Sequence, residues 1–132
     1  MEDLIKLMAN QPDFFSLTGA TKEEINSAEQ ELKTTFATDY IKYLFAYGVA
    51  SFSGHELTGI CKSNRLNVIF VTIEERNNLN VPCSWYVLEQ ANIDGIVIWQ
   101  DSNGQIYQTS PYMKPKKICD SLLEYIKFAN NA

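Results

Sequence analysis

Reactive chemistry is scarce in this sequence. It holds one histidine, His55, and three cysteines, Cys61, Cys83 and Cys119, which are odd in number and far apart. No Cys-x-x-Cys pair exists, which argues against a zinc site and against a disulfide framework. Free thiols fit a reducing, cytoplasmic setting. No run approaches the ~18 consecutive apolar residues of a membrane-spanning helix, so no membrane partner is expected. The opening stretch, MEDLIKLMANQPDFF, begins with acids and lacks a basic region followed by a long apolar one, so it does not read as a signal peptide. Gly-x-Ser-x-Gly, a phosphate-binding loop and Gly-x-Gly-x-x-Gly are all missing, as are internal repeats and low-complexity tracts.

Basic charge is also sparse. Eleven lysines and arginines stand against 16 aspartates and glutamates, for a net charge of −5. Such a chain repels nucleic-acid phosphates and anionic lipid, so no nucleic-acid partner is expected. The only basic cluster, Lys114, Lys116 and Lys117 around Pro115, reads as a solvated loop. Acids gather between Glu74 and Asp101, where Glu74, Glu75, Glu89, Asp94 and Asp101 face one base, Arg76. An acidic face suits a basic partner; the plainer reading is a solvated rim.

What is abundant is core material. The chain has 132 residues, 45% of them apolar, with seven Phe, seven Tyr and two Trp, enough for one domain with one core. Leu4, Ile5 and Met8 predict a short helix ending before Pro12. Phe14, Phe15 and Leu17 then read as a loop tucked onto the core. Thr21 and Glu24 form a capping box for a second helix with Ile25, Ala28 and Leu32 inward. A third helix starts at Thr38 as N-cap, buries a face of Tyr40, Ile41, Leu44, Phe45 and Tyr47, and stops at Gly48 in the left-handed conformation. Short strands follow at Val49 to Phe52 and Glu56 to Ile60, bent at Gly54.

Val68 to Val71 reads as a short β-rich run. Thr72 with Glu75 then reads as a second capping box, opening a two-turn helix. Strands are expected at Trp85 to Gln90, Ile96 to Gln100 and Gln105 to Thr109. Asn92 to Gly95 and a hairpin turn at Asp101 to Gly104, with positive φ at Asn103 and Gly104, join them. Ile96 to Gln100 is apolar on both sides and reads as a central strand, with Trp99 in the core. The last helix spans Ser121 to Ala129. Helices, then antiparallel strands with one helical insertion, then a helix make a single α+β domain.

Catalytic and metal readings fare poorly. His55 sits between Gly54 and Glu56 and reads as an exposed turn histidine, although a pairing with a distant cysteine stays open. Asp94 and Asp101 bracket a strand and lie ~20 Å apart at ~3.3 Å per residue, too far to share a metal. Asp101-Ser-Asn-Gly104 resembles the start of a calcium loop but lacks the closing glutamate, since Tyr112 stands there. Glu74 and Glu75 are neighbours on a helix and point apart. No catalytic residue, cofactor or metal ligand is assigned.

The ordered series of features resembles a known family. It comprises Asp39, Tyr40, Tyr43, Leu44 and Gly48; Phe52, Gly54, Leu57, Gly59 and Ile60; Thr72, Glu74, Glu75 and Arg76; Pro82; Asp94 and Gly95; Asn103 and Gly104; and Ser121, Leu122, Glu124, Tyr125 and Ile126. In this order they are similar to the SUKH superfamily, which groups bacterial immunity proteins with a fungal cell-wall assembly regulator. The resemblance covers residues 21–128 of one domain spanning 1–132. Two departures exist: Ala37-Thr38 where the family often has proline, and Tyr47-Gly48 where it often has Asn-Gly.

The resemblance implies a mostly antiparallel, curved sheet packed against N-terminal helices and a C-terminal helix. It also implies a non-enzymatic cytoplasmic immunity protein that binds a cognate polymorphic toxin, often a nuclease with a basic surface, and covers its active site or groove. It carries over no fixed site residues. The expected contact set therefore comes from the acids: Glu56, Glu74, Glu89, Asp94 and Asp101. The alternative is an intracellular scaffold or regulatory interaction module. A third reading is a small-molecule or hydrolytic site near His55. Either a monomer or a dimer is compatible with the sequence.

Overall fold

Helix α1 (Leu4–Ala9) begins at Asp3, whose carboxylate accepts the Ile5 N–H, and buries Leu4 and Met8. The structure, a computed structural model, describes residues 3–91 and 93–130. Strand β1 (Phe15–Thr18) follows. It is not a tucked loop: Phe15 is 62% and Leu17 43% exposed, and only Phe14 packs inward, edge-on to Tyr47. Helix α2 (Lys22–Leu32) carries the expected capping box, with Thr21 Oγ1 accepting from Glu24 N and Glu24 Oε1 from Thr21 N. Its Ile25, Ala28 and Leu32 are buried.

Helix α3 (Thr38–Ala46) has Ala37 at the N-cap, so Thr38 is its first residue and supplies no cap. Its buried side is Tyr40, Tyr43 and Leu44, while Phe45 is half exposed. The helix runs straight into β2 (Tyr47–Phe52), which means Gly48 is not a left-handed stop. The glycine is needed for a close crossing: a Cβ there would lie 2.4 Å from the Thr18 carbonyl oxygen, and one at Gly59 would lie 1.8 Å from the Gly48 oxygen. Gly54 turns β2 into β3 (His55–Glu56) with φ +83°.

Helix α4 (Val68–Asn78) absorbs the run expected to be a strand. Asn67 supplies the cap one turn earlier than the expected box, and Thr72 lies buried inside the helix. Strands β4 (Tyr86–Gln90), β5 (Val97–Gln100), β6 (Ile106–Ser110) and β7 (Met113–Cys119) follow, and α5 (Leu122–Asn130) closes the chain. Strand β7 occupies the lysine segment read as a loop. In the hairpin between β5 and β6, Gly104 has positive φ and Asn103 does not.

The described strands form two antiparallel sheets, ordered β1-β2-β3 and β4-β5-β6-β7. The seam between them is an isolated bridge, Leu57 to Glu89, reinforced by Thr58 N donating to Leu88 O at 2.9 Å. The fold is thus the expected α+β class, with the sheet divided in two. Helices α1, α2, α3 and α5 cover the main core, where Phe36, Tyr40 and Tyr86 pack edge-on or tilted with centroids 4.8–5.1 Å apart. Thr58 ties this core to β4: its hydroxyl meets Tyr40 Oη at 2.9 Å and donates to Val87 O at 2.7 Å, while its carbonyl accepts from Tyr43 Oη at 2.8 Å. A smaller cluster of Val71, Trp85, Val87, Val97 and fully buried Trp99 sits under α4.

Candidate protein-binding surface

Helix α4 is apolar on more than one side. Val68, Val71 and Thr72 face inward, while Phe70 is 52% and Ile73 44% exposed. Residues three apart on a helix are neighbours, so Phe70 and Ile73 form one patch.

The helix is held in this rotation from several directions. Asn67 Oδ1 accepts from Ile69 N and Phe70 N, and its Nδ2 donates to Cys61 O at 2.9 Å. Thr72 Oγ1 accepts from Val87 N at 2.9 Å. The Arg76 guanidinium donates to the carbonyls of Leu32, Cys83 and Trp85 at 3.0, 2.6 and 3.0 Å. Turning the helix to hide Phe70 would break all of these, so the patch is a fixed feature of the fold.

Acids flank the patch. Glu31 and Glu74 line a shallow groove of about 390 Å³ with Ile69, Phe70, Ile73 and Asn77. Neither glutamate forms an ion pair among the described residues. Across the helix, a groove of about 290 Å³ runs between Phe70, Glu74, Arg65 and Gln90. There Arg65 grips Glu56 through two bonds of 2.7 and 3.1 Å, and this pairing holds the Glu56 carboxyl below the usual range. Gln90 also donates to Glu75 Oε2 at 2.6 Å and borders a third groove, of about 420 Å³, that reaches Gly95 and Pro111 at the hairpin tips.

The five acids expected at the interface separate into two groups. Glu74 is exposed on α4, Glu56 borders the adjoining groove system, and Asp94 is exposed on the turn leading to Gly95. Asp101 is half-buried and builds its own hairpin, accepting from Asn103 N, Gln105 N and Tyr107 Oη at 2.9–3.0 Å. Glu89 is only 3% exposed and cannot meet a partner. One of its oxygens accepts from Tyr125 Oη at 2.5 Å and the other meets His55 Nδ1 at 3.0 Å. Phe70, Ile73 and Glu31 were not anticipated. Reading Val68 to Glu75 with helical spacing is what would have revealed the first two.

His55 is half-buried rather than freely exposed, with its ring 5.7 Å from Phe52, and it lines none of the grooves around α4. The three cysteines are unpaired, and burial pushes the Cys119 thiol up to about 11, which keeps it protonated and unreactive at neutral pH. Among the described residues, no three or more His, Cys, Asp or Glu side chains gather as a metal site, and no helix is long and apolar enough to cross a membrane. What the surface offers is a contact face with apolar anchors and an acidic border.

No curated protein matches the chain. A family model does: SUKH_5, described as SMI1-KNR4 cell-wall, matches residues 1–128. The match runs from α1 almost to the end of α5 and includes α4 with its exposed face. This chain belongs to the SUKH_5 family, of the SMI1-KNR4 cell-wall type.

Proposed function

We propose that this protein is a cytoplasmic immunity protein that binds a cognate polymorphic toxin through the α4 face and blocks the toxin by covering its active site or substrate groove. The observation that carries this reading is the fixed, outward placement of Phe70 and Ile73 beside Glu31 and Glu74, which form no ion pair among the described residues. Buried apolar anchors supply most of the energy of a typical protein interface, and a polar border excludes water from it. A toxin that acts on nucleic acid needs a basic groove for phosphate, and an acidic inhibitor meets such a groove with complementary charge and a faster on-rate. Family membership supports a toxin-immunity or SMI1-KNR4-like role in general terms. The reading is non-enzymatic: the protein acts by occupancy.

The family description favours a second reading, an intracellular scaffold or regulatory module of the SMI1-KNR4 kind, using the same face for a host protein. Co-expression with the C-terminal domain encoded by the adjacent gene separates the two. An immunity protein rescues cells from that domain and co-purifies with it. A harmless neighbour that does not bind removes the immunity reading and leaves the scaffold.

A further inference from the structure

The seam between β3 and β4 makes the two sheets one run of strands with two outer edges, β7 and β1. These edges are built differently. Strand β7 reads Met-Lys-Pro-Lys-Lys-Ile-Cys, exposed from Met113 to Lys117. Pro115 offers no N–H, the lysines would face any incoming strand, and Lys117 is held in an ion pair with Asp120. Proline and lysine are the usual means of preventing edge-to-edge pairing.

Strand β1 has neither. From Phe14 to Thr21 there is no proline and no ionisable side chain. Phe15 and Leu17 project from the same face of the strand and are 62% and 43% exposed. Its pairing with β2 goes from Ser16–Ala50 to Thr18–Tyr47, so the extra residue of the bulge lies in β2 and β1 itself alternates without interruption. Beside it, the backbone of Phe45 crosses Gly19 so closely that a Cβ on the glycine would lie 1.9 Å from the Phe45 oxygen, and the Phe45 ring is 50% exposed.

We propose that β1 is a self-pairing edge: two copies of this chain join β1 to β1, antiparallel, about a twofold axis. The sheet then continues across a homodimer, and Phe15, Leu17 and Phe45 of both copies bring apolar surface to it. An antiparallel edge is complementary to itself under twofold symmetry. Two chains of net charge −5 repel one another, and the absence of ionisable side chains from Phe14 to Thr21 lets two copies meet at this edge without opposing like charges. With a strand of four residues the interface is small, so the dimer dissociates on dilution.

The test uses this chain alone and is independent of any toxin. Sedimentation equilibrium from micromolar to millimolar concentration should show the mass rise from 15.0 kDa toward twice that value. The double variant Phe15→Lys/Leu17→Lys, altered only at exposed side chains, should keep the wild-type circular dichroism and stay at 15.0 kDa throughout. Phe45→Lys, on α3 rather than β1, provides a second variant should the first fail to fold, and it should weaken the dimer at least tenfold. A wild-type chain that stays monomeric overturns the proposal, as does a dimer that survives in folded lysine variants. A monomeric wild type whose lysine variants lose toxin binding would also overturn it, by assigning the edge to a strand of the toxin.

Discussion

Tyr125 donates its hydroxyl to the buried Glu89 carboxylate over 2.5 Å, and through this bond α5 is tied to β4. His55 meets the second carboxylate oxygen and adds β3, so one side chain joins three elements at the seam between the sheets. Burial and the adjacent Glu89 push the Tyr125 phenol well above its usual value, so it remains a donor. Glu89→Ala would leave a buried hydroxyl and an imidazole without their acceptor. It should lower the unfolding free energy by ~2–4 kcal/mol in urea titration. The affinity of the folded fraction for a partner should be unchanged, because Glu89 is internal. An unchanged denaturation midpoint would mean the tie contributes nothing.

Alkaline pH should unfold the protein through its tyrosines. Burial pushes the phenols of Tyr40, Tyr43, Tyr86 and Tyr125 above their ordinary 10.0, and the Cys119 thiol from 9.0 to about 11. The folded state therefore favours the protonated forms. Their contribution is fully present below the unfolded values, ~9 for the thiol and ~10 for the phenols, and is lost as pH rises toward the folded ones. Melting temperature should hold level at neutral pH and fall steeply past about pH 10. The phenolate absorbance of these four residues should appear only with unfolding. Full ionisation of all seven tyrosines in a still-folded chain would contradict this.

Arg76→Lys should not be a conservative change. The guanidinium reaches the carbonyls of Leu32, Cys83 and Trp85 at once, joining α4 to the end of α2 and to the approach to β4. An ammonium is a single point and cannot span the same fork. The expected cost is ~1–3 kcal/mol in chemical denaturation, with a further loss of partner affinity from looser seating of α4. A variant as stable as wild type would show that the fork is dispensable.

Local chemistry was legible in the sequence and long-range placement was not. The Thr21–Glu24 box and the buried Ile25, Ala28 and Leu32 follow from spacing alone, and Trp99 follows from a run apolar on both sides. Val68 to Thr72 is rich in β-branched residues, and Thr72-x-x-Glu75 fits a capping box. Asn67 nevertheless caps the helix one turn earlier, and Thr72 uses its hydroxyl on Val87 across 15 residues. Strand β7 exists because β6 pairs with it, and its lysines and proline carry the composition of a loop. Glu89 looked like a surface acid because its two partners lie 34 and 36 residues away. The exposed pair Phe70 and Ile73 was hidden by reading Val68 to Val71 as a strand; helical spacing through Val68 to Glu75 sets the two side chains apart from Val68, Val71 and Thr72.

Binding of the toxin by the α4 face is tested most directly by the affinity of the co-purifying toxin domain for two variants of this chain. Phe70→Ala removes an exposed anchor and Glu74→Lys reverses a bordering charge, and neither side chain supports the fold. Phe70→Ala should weaken binding ~10–100-fold, mainly through faster dissociation. Glu74→Lys should slow association and make the rate less sensitive to salt. Wild-type affinity and wild-type protection in both folded variants would contradict the account and place the toxin contact elsewhere on the molecule.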